Sequence, residues 1–142
     1  MEPLEKALQI LSYKSHSVQE LTTKLHRYEY TELQIETAIN RLLELRYLND
    51  EEYARNLVQK YGGRGNRYIQ SKLYEKGLKD PAYLTFLEEL PSETERAEEL
   101  AQSKGARFAE KKQPIEKLAR FLAYRGFSPP VCWKVAKSFF KH

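Results

Sequence analysis

Gly62-Gly-Arg-Gly65 is the stretch that most invites a chemical reading, because glycine-rich turns at helix starts can present backbone N–H groups to a phosphate. The phosphate-loop pattern fails here. No Lys-Ser/Thr pair follows, and a helical pattern rather than a strand precedes it. The segment reads instead as a helix stop followed by a flexible turn. The three histidines, His16, His26 and His142, make no metal-ligand spacing with one another or with Cys132, the only cysteine. His16 and His26 are expected on wet helix surfaces and His142 in a frayed tail. Cys132 falls on the apolar register of the last helix and is expected to be buried. No Ser/His/Asp or Cys/His constellation can be argued, and the scattered glutamates are explained as helix caps and solvated faces. The sequence therefore assigns no catalytic residue, no metal and no cofactor, and it predicts a binding protein rather than an enzyme.

The basic residues make the stronger case. Arg64, Arg67, Lys72, Lys76 and Lys79 flank or lie on one predicted helix, and steps of four and three place Lys72, Lys76 and Lys79 on one face. Lys104, Arg107, Lys111, Lys112, Lys117, Arg120 and Arg125 form a second cluster. The net charge of +4 conceals a strong asymmetry: the balance is −2 over residues 1–50, +3 over 51–80, −5 over 81–102 and +8 over 103–142. Such a field favours a polyanion or an acidic protein surface. If the basic faces align, they form a continuous stripe for DNA phosphates or for an acidic groove.

The elements that carry these residues repeat. Leu21, Leu25 and Tyr30 fall in step with Ile69, Leu73 and Leu78, and then with Leu118, Leu122 and Phe127. Ile35, Ile39 and Leu42 continue the register through Tyr83, Leu87 and Leu90 to Cys132, Ala136 and Phe139. A period of this size signals stacked helical units, which usually offer a long surface to a macromolecule. Helix starts are marked by Ser17-Val-Gln-Glu20, Thr31-Glu-Leu-Gln34, Asn49-Asp-Glu-Glu52 and Ser92-Glu-Thr-Glu95, each a cap three residues before an acid or amide. Glu2-Pro3, Asp80-Pro81, Gln113-Pro114 and Ser128-Pro129 add starts with proline at the first helical position. Gly62-Gly63, Gly77 and Gly126 mark stops.

Nine helices follow, over roughly 3–15, 18–28, 32–46, 50–61, 66–76, 81–90, 93–111, 114–125 and 129–140. The predicted fold is all-α: three tandem three-helix repeats, 1–49, 50–91 and 92–142, forming an elongated, curved array. The N-terminal Met-Glu-Pro-Leu-Glu-Lys has no apolar core, and no stretch approaches a membrane span, so the expectation is a soluble cytoplasmic monomer.

Leu45-Arg-Tyr-Leu-Asn-Asp-Glu-Glu-Tyr-Ala54, Tyr61-Gly-Gly-Arg-Gly-Asn-Arg-Tyr-Ile69 and Leu73-Tyr-Glu-Lys-Gly-Leu78 resemble, in order and spacing, the blocks of the RecX family of recombination regulators. Ala7-Leu-Gln-Ile-Leu11, Ser17-Val-Gln-Glu-Leu21 and the closing Leu122-Ala-Tyr-Arg-Gly-Phe127 fit as well, so the resemblance spans the chain. Two departures stand out. Glu29 and Arg46 occupy positions where the family usually has glycine, and a non-glycine in the left-handed region costs roughly 1 kcal/mol. The resemblance implies a non-enzymatic modulator that binds the filament of RecA, the bacterial strand-exchange ATPase. It implies that the protein lies along the filament groove and inhibits ATPase and strand exchange.

The alternative is a sequence-independent DNA-binding protein acting indirectly on recombination. Tandem helix-turn-helix modules reading bases are disfavoured, because the third helices begin Glu32-Leu-Gln-Ile, Pro81-Ala-Tyr-Leu and Pro129-Pro-Val-Cys, acidic or apolar where base readers need Arg, Asn or Gln.

Overall fold

The computed structural model describes residues 1–141. His142 lies outside the described residues. The described residues form helices and turns with no strand. In chain order the α-helices are α1 (Pro3–Tyr13), α2 (Val18–Leu25), α3 (Glu32–Glu44), α4 (Asp50–Lys60), α5 (Asn66–Glu75), α6 (Glu93–Lys104), α7 (Pro114–Tyr124) and α8 (Pro129–Phe139). Two 3-10 segments, Pro81–Glu89 and Gly105–Phe108, complete the set.

The contacts gather into two compact units, one of residues 1–56 with 73–83, the other of 57–72 with 84 onward. The first carries nine Lys/Arg against twelve Asp/Glu, a balance of −3, and the second fifteen against eight, a balance of +7. The charge asymmetry of the sequence therefore divides along the folding units.

In the first unit α1, α2 and α3 pack around Ala7, Leu21, Leu25, Ile35, Ile39, Leu42 and Leu48. Both of its inner helices start in complete capping boxes. The Ser17 Oγ accepts from the Glu20 N–H while Glu20 accepts from the Ser17 N–H, and Thr31 and Gln34 repeat the arrangement. Ser17 does more than cap, since its hydroxyl also donates to the Lys76 carbonyl at 2.6 Å and the residue is fully buried. Asp50 accepts the Val18 N–H at 2.9 Å, and burial pushes the Asp50 carboxyl up.

In the second unit α6, α7 and α8 enclose Ala97, Ala101, Leu118, Ala119, Leu122, Phe127, Cys132, Val135 and Ala136. Cys132 is buried as expected, and its thiol donates to the Phe127 carbonyl at 3.3 Å.

The structure departs from the sequence reading at three helices. Residues 81–89 wind as a 3-10 segment, whose three-residue turn buries Phe86 and leaves Leu87, with Leu90 just beyond it, half-buried, so the α-register through Tyr83, Leu87 and Leu90 slips. The helix expected over 93–111 stops at Lys104, where the chain tightens into the 3-10 turn Gly105–Phe108. The helix carrying Lys72 ends at Glu75, so Lys76 and Lys79 lie beyond it and do not continue its face. His26 is exposed as expected, but His16 is not. It is 5% exposed, in the turn between α1 and α2, with Nδ1 2.9 Å from the Lys14 carbonyl.

Candidate interaction surface

Gly65 organises the basic surface of the second unit by what it lacks. A Cβ there would fall 2.1 Å from the Gly126 carbonyl carbon, and one on Gly126 would fall 2.5 Å from the Tyr68 Cβ. The two backbones touch because residue 65 is glycine, and glycine at 126 leaves room for Tyr68. They are joined by hydrogen bonds from the Gly65 N–H to the Arg125 carbonyl (3.0 Å) and from the Arg67 N–H to the Gly126 carbonyl (3.1 Å). The expected flexible turn at 62–65 is therefore an anchored one.

Arg96 locks the same turn from the other side. Its guanidinium is buried and donates to the Pro91 carbonyl at 2.9 Å, to the Arg64 carbonyl and to the Asn66 side-chain oxygen. Burial pulls its pKa down, and the neighbouring Glu93 carboxylate opposes that pull. Glu93 in turn accepts the Asn66 N–H (2.8 Å) and the Ser128 hydroxyl (3.0 Å), tying the start of α5 to the start of α8. Ser128 therefore serves Glu93 rather than capping its own helix. Sequence reasoning missed Arg96. The one signal it offered is that Arg96 is the sole cation in an acidic belt.

On this frame sit two aromatic rings surrounded by cations. Tyr61 and Tyr68 meet edge to face at 5.5 Å. The Arg64 guanidinium lies 4.6 Å from the Tyr68 ring, the Lys72 ammonium 5.8 Å from both rings, and the Lys60 ammonium 5.3 Å from Tyr61. Each such contact contributes roughly 0.5–1 kcal/mol at an accessible site and holds a flexible charge in place. Arg67 is exposed beside them.

A second group forms around Phe121, with Arg107 at 4.5 Å and Arg125 at 4.9 Å from its ring. Lys111, Lys112 and Arg120 are exposed and Lys117 is half-buried, the first two in the turn before α7. Lys76 and Lys79 belong to the first unit, where the Lys79 ammonium lies 4.7 Å from the Tyr74 ring. The structure thus brings Arg64 and Lys72 together around the tyrosines, and sets Arg125 beside Arg107. The tyrosines themselves were not among the residues singled out from sequence.

The family model described as "RecX, first three-helix domain" matches residues 4–42, the span of α1 to α3. A regulatory protein RecX of Vibrio parahaemolyticus is 37% identical over 128 residues, covering 87% of this chain and 83% of the relative. The chain belongs to the RecX family. A second RecX, from Vibrio campbellii, is 35% identical with the same coverage. The crystal structure of RecX from Lactobacillus salivarius superposes with a TM-score of 0.82 over 96% of this chain and 94% of that one, at 24% identity, which bears on the fold alone.

RecX membership frames the two missing glycines. Gly77 and Gly126 take positive φ of 81° and 96°, and Leu78 and Phe127 reach back five residues to the Leu73 and Leu122 carbonyls. Arg46 adopts the same left-handed form, φ 64°, and Tyr47 closes on the Leu42 carbonyl at 2.9 Å. Glu29, the counterpart of Gly77 and Gly126, avoids positive φ. There α2 ends through shorter turns, with Arg27 and Tyr28 bonding to Lys24 and Leu25. One departure from the RecX pattern thus bears the left-handed strain, and the other evades it.

Among the described residues no helix is long and apolar enough to cross a membrane, and no group of three or more His, Cys, Asp or Glu is placed to hold a metal.

Proposed function

We propose that this regulatory protein binds the RecA filament and slows its ATPase and strand exchange. Membership of the RecX family supports the reading, and the observation that carries it is the anchored cation–aromatic surface built on Tyr61 to Ile69, one of the blocks that resemble the family, and on Lys72 just after it. Mechanistically the protein acts by occupancy. It bridges neighbouring protomers, blocks their motion or addition, and uses no catalytic group of its own. Arg64, Arg67 and Lys72, with the cluster Lys111, Lys112, Lys117, Arg120 and Arg125, meet acidic filament surface or DNA phosphate. Lys76 and Lys79 are further candidate contacts. The proposed setting is the cytoplasm and the proposed working form a monomer of three tandem repeats.

RecA ATPase on single-stranded DNA, titrated with this protein, tests the proposal. Inhibition at or below equimolar protein is expected. Reversing Arg64, Arg67 and Lys72 together should relieve it without loss of helical content, because the Arg96 lock uses the Arg64 backbone rather than its side chain. If inhibition survives intact, the surface is a solvated face.

The second reading, direct DNA binding, draws on the pairing of cations with aromatic rings, a combination that suits stacking bases beside a phosphate chain. It predicts strong DNA binding that weakens steeply with salt, with no ATPase inhibition in the same buffer.

A further inference from the structure

Helices α3 and α8 each leave one apolar face uncovered, and the charges beside those faces are opposite. Leu33, in the first turn of α3, is 71% exposed. It stands at an apolar cleft of about 430 Å3 that also takes in Pro3, Leu4, Thr37 and Ala38. The free charges here are negative: Glu2 lines the cleft, and Glu36 is exposed one turn on from Leu33. Arg41, the one cation lining the cleft, is already held 3.1 Å from Glu44 on the same helix. Over its length α3 carries three glutamates and one arginine, a balance of −2.

On α8 the signs reverse. Trp133, the only tryptophan in the chain, is 43% exposed, with the Lys137 ammonium 6.0 Å from its ring. Lys134 is exposed beside it, and the step of three sets the two lysines on one side of the helix. Among the described residues neither lysine forms an ion pair, and α8 contains no acid, so its balance is +2. The two faces also lie in units of opposite balance, −3 and +7.

An exposed indole flanked by lysines is matched by an apolar recess flanked by carboxylates. We infer that this chain binds a second copy of itself head to tail, the Trp133 face of α8 in one copy docking on the Leu33 cleft of α3 in the other. The indole packs on Leu33 and Leu4, while Lys134 and Lys137 meet Glu2 and Glu36. The occupant is a second copy because one chain carries both faces, each open and opposite in sign to the other. Pairing α3 with α3 would oppose carboxylates, and pairing α8 with α8 would oppose lysines, so the contact joins unlike faces. A single helix face on each side makes a contact below the roughly 1,200 Å2 that marks off weak, transient encounters. The dilute chain is therefore the monomer proposed above, and copies join where they are crowded together. This inference goes beyond filament binding and does not depend on it.

Sedimentation velocity of the full chain over a concentration series, with Trp133 emission read on the same samples, tests the contact. Reversible association that weakens with salt is expected, with emission moving to shorter wavelength as the indole leaves water. Glu36→Lys and Lys137→Glu should each weaken association about tenfold, as an attraction across the contact becomes a repulsion. Both residues are exposed, so neither change is expected to disturb folding. An equimolar mixture of the two variants should recover association, because the intact α3 of one meets the intact α8 of the other. A chain that stays monomeric at every concentration overturns the proposal, and Trp133 emission that then responds to a single-stranded oligonucleotide gives α8 to nucleic acid instead. Association undiminished in either variant, or a mixture that stays apart, overturns it as well.

Discussion

The two compact units reach similar three-helix cores by unlike means. The first, with balance −3, fastens its turns through side chains: the Ser17 hydroxyl, the Asp50 carboxylate and two capping boxes. The second, with balance +7, adds to its side-chain ties at Glu93 a backbone contact at Gly65 and Gly126 and one buried guanidinium. Side-chain clamps tolerate variation around them, which is where the first unit carries Glu29 and Arg46 in place of glycine. Backbone-on-backbone contact tolerates none. A surface that must hold many like charges close together gains from a rigid frame, because each cation then stays beside its ring instead of spreading away from its neighbours.

Several substitutions would break or sharpen this contrast. The largest effect belongs to Gly65→Ala. Its Cβ meets backbone rather than a flexible side-chain end, so about 3 kcal/mol or more of stability should be lost. Hydrogen exchange should show the loss in α6, α7 and α8, with the first unit's core still protected. Near wild-type stability would mean that the two backbones part easily and that the frame is not rigid.

Arg96→Met comes next. It strands the Pro91 and Arg64 carbonyls and the Asn66 amide oxygen, for an expected cost of roughly 2–4 kcal/mol by denaturant unfolding. A cost below that of an ordinary surface mutation would remove Arg96 from the frame.

In the first unit the telling residue is His16, whose folded pKa lies below its ordinary value of 6.5 because it is buried. Above that value the ring is neutral in both states and its contribution is constant. As the pH falls through 6.5 the unfolded chain takes up the proton first, so stability declines until the folded ring is protonated too. His16→Gln should flatten this decline as the pH falls through 6.5, measured as the unfolding midpoint. An unaltered profile would assign the decline to another group.

The smallest effect has the opposite sign. Arg46→Gly should stabilise by up to about 1 kcal/mol, because glycine accepts φ 64° without strain, whereas Glu29→Gly should bring no such gain. Equal effects at the two sites would erase the distinction drawn between them.

Much of the fold was legible from local chemistry. Ser17, Thr31, Asn49 and Ser92 all cap where their spacing placed them, and Gly77 and Gly126 both turn left-handed. The apolar register marked Leu21, Leu25, Ile69, Leu73, Leu118 and Leu122, and all are buried. It failed at Leu87 because periodicity assumes the α-helical turn, and residues 81–89 use a tighter one. The basic residues were visible, but their assignment to one helix face was not secure, since α5 ends at Glu75 and Lys76 spends its carbonyl on Ser17.

The sequence by itself determined the helices, their caps, most of the core and the uneven distribution of charge, because each depends on residues within a few turns of one another. The tertiary structure alone decided that Gly65 meets Gly126, that Arg96 holds the turn between them, that tyrosines gather the cations, and that His16 is buried with a nitrogen to spare. The Gly65 and Arg96 contacts join residues about 30 to 60 positions apart, and no local propensity records which distant backbone will arrive beside a given residue.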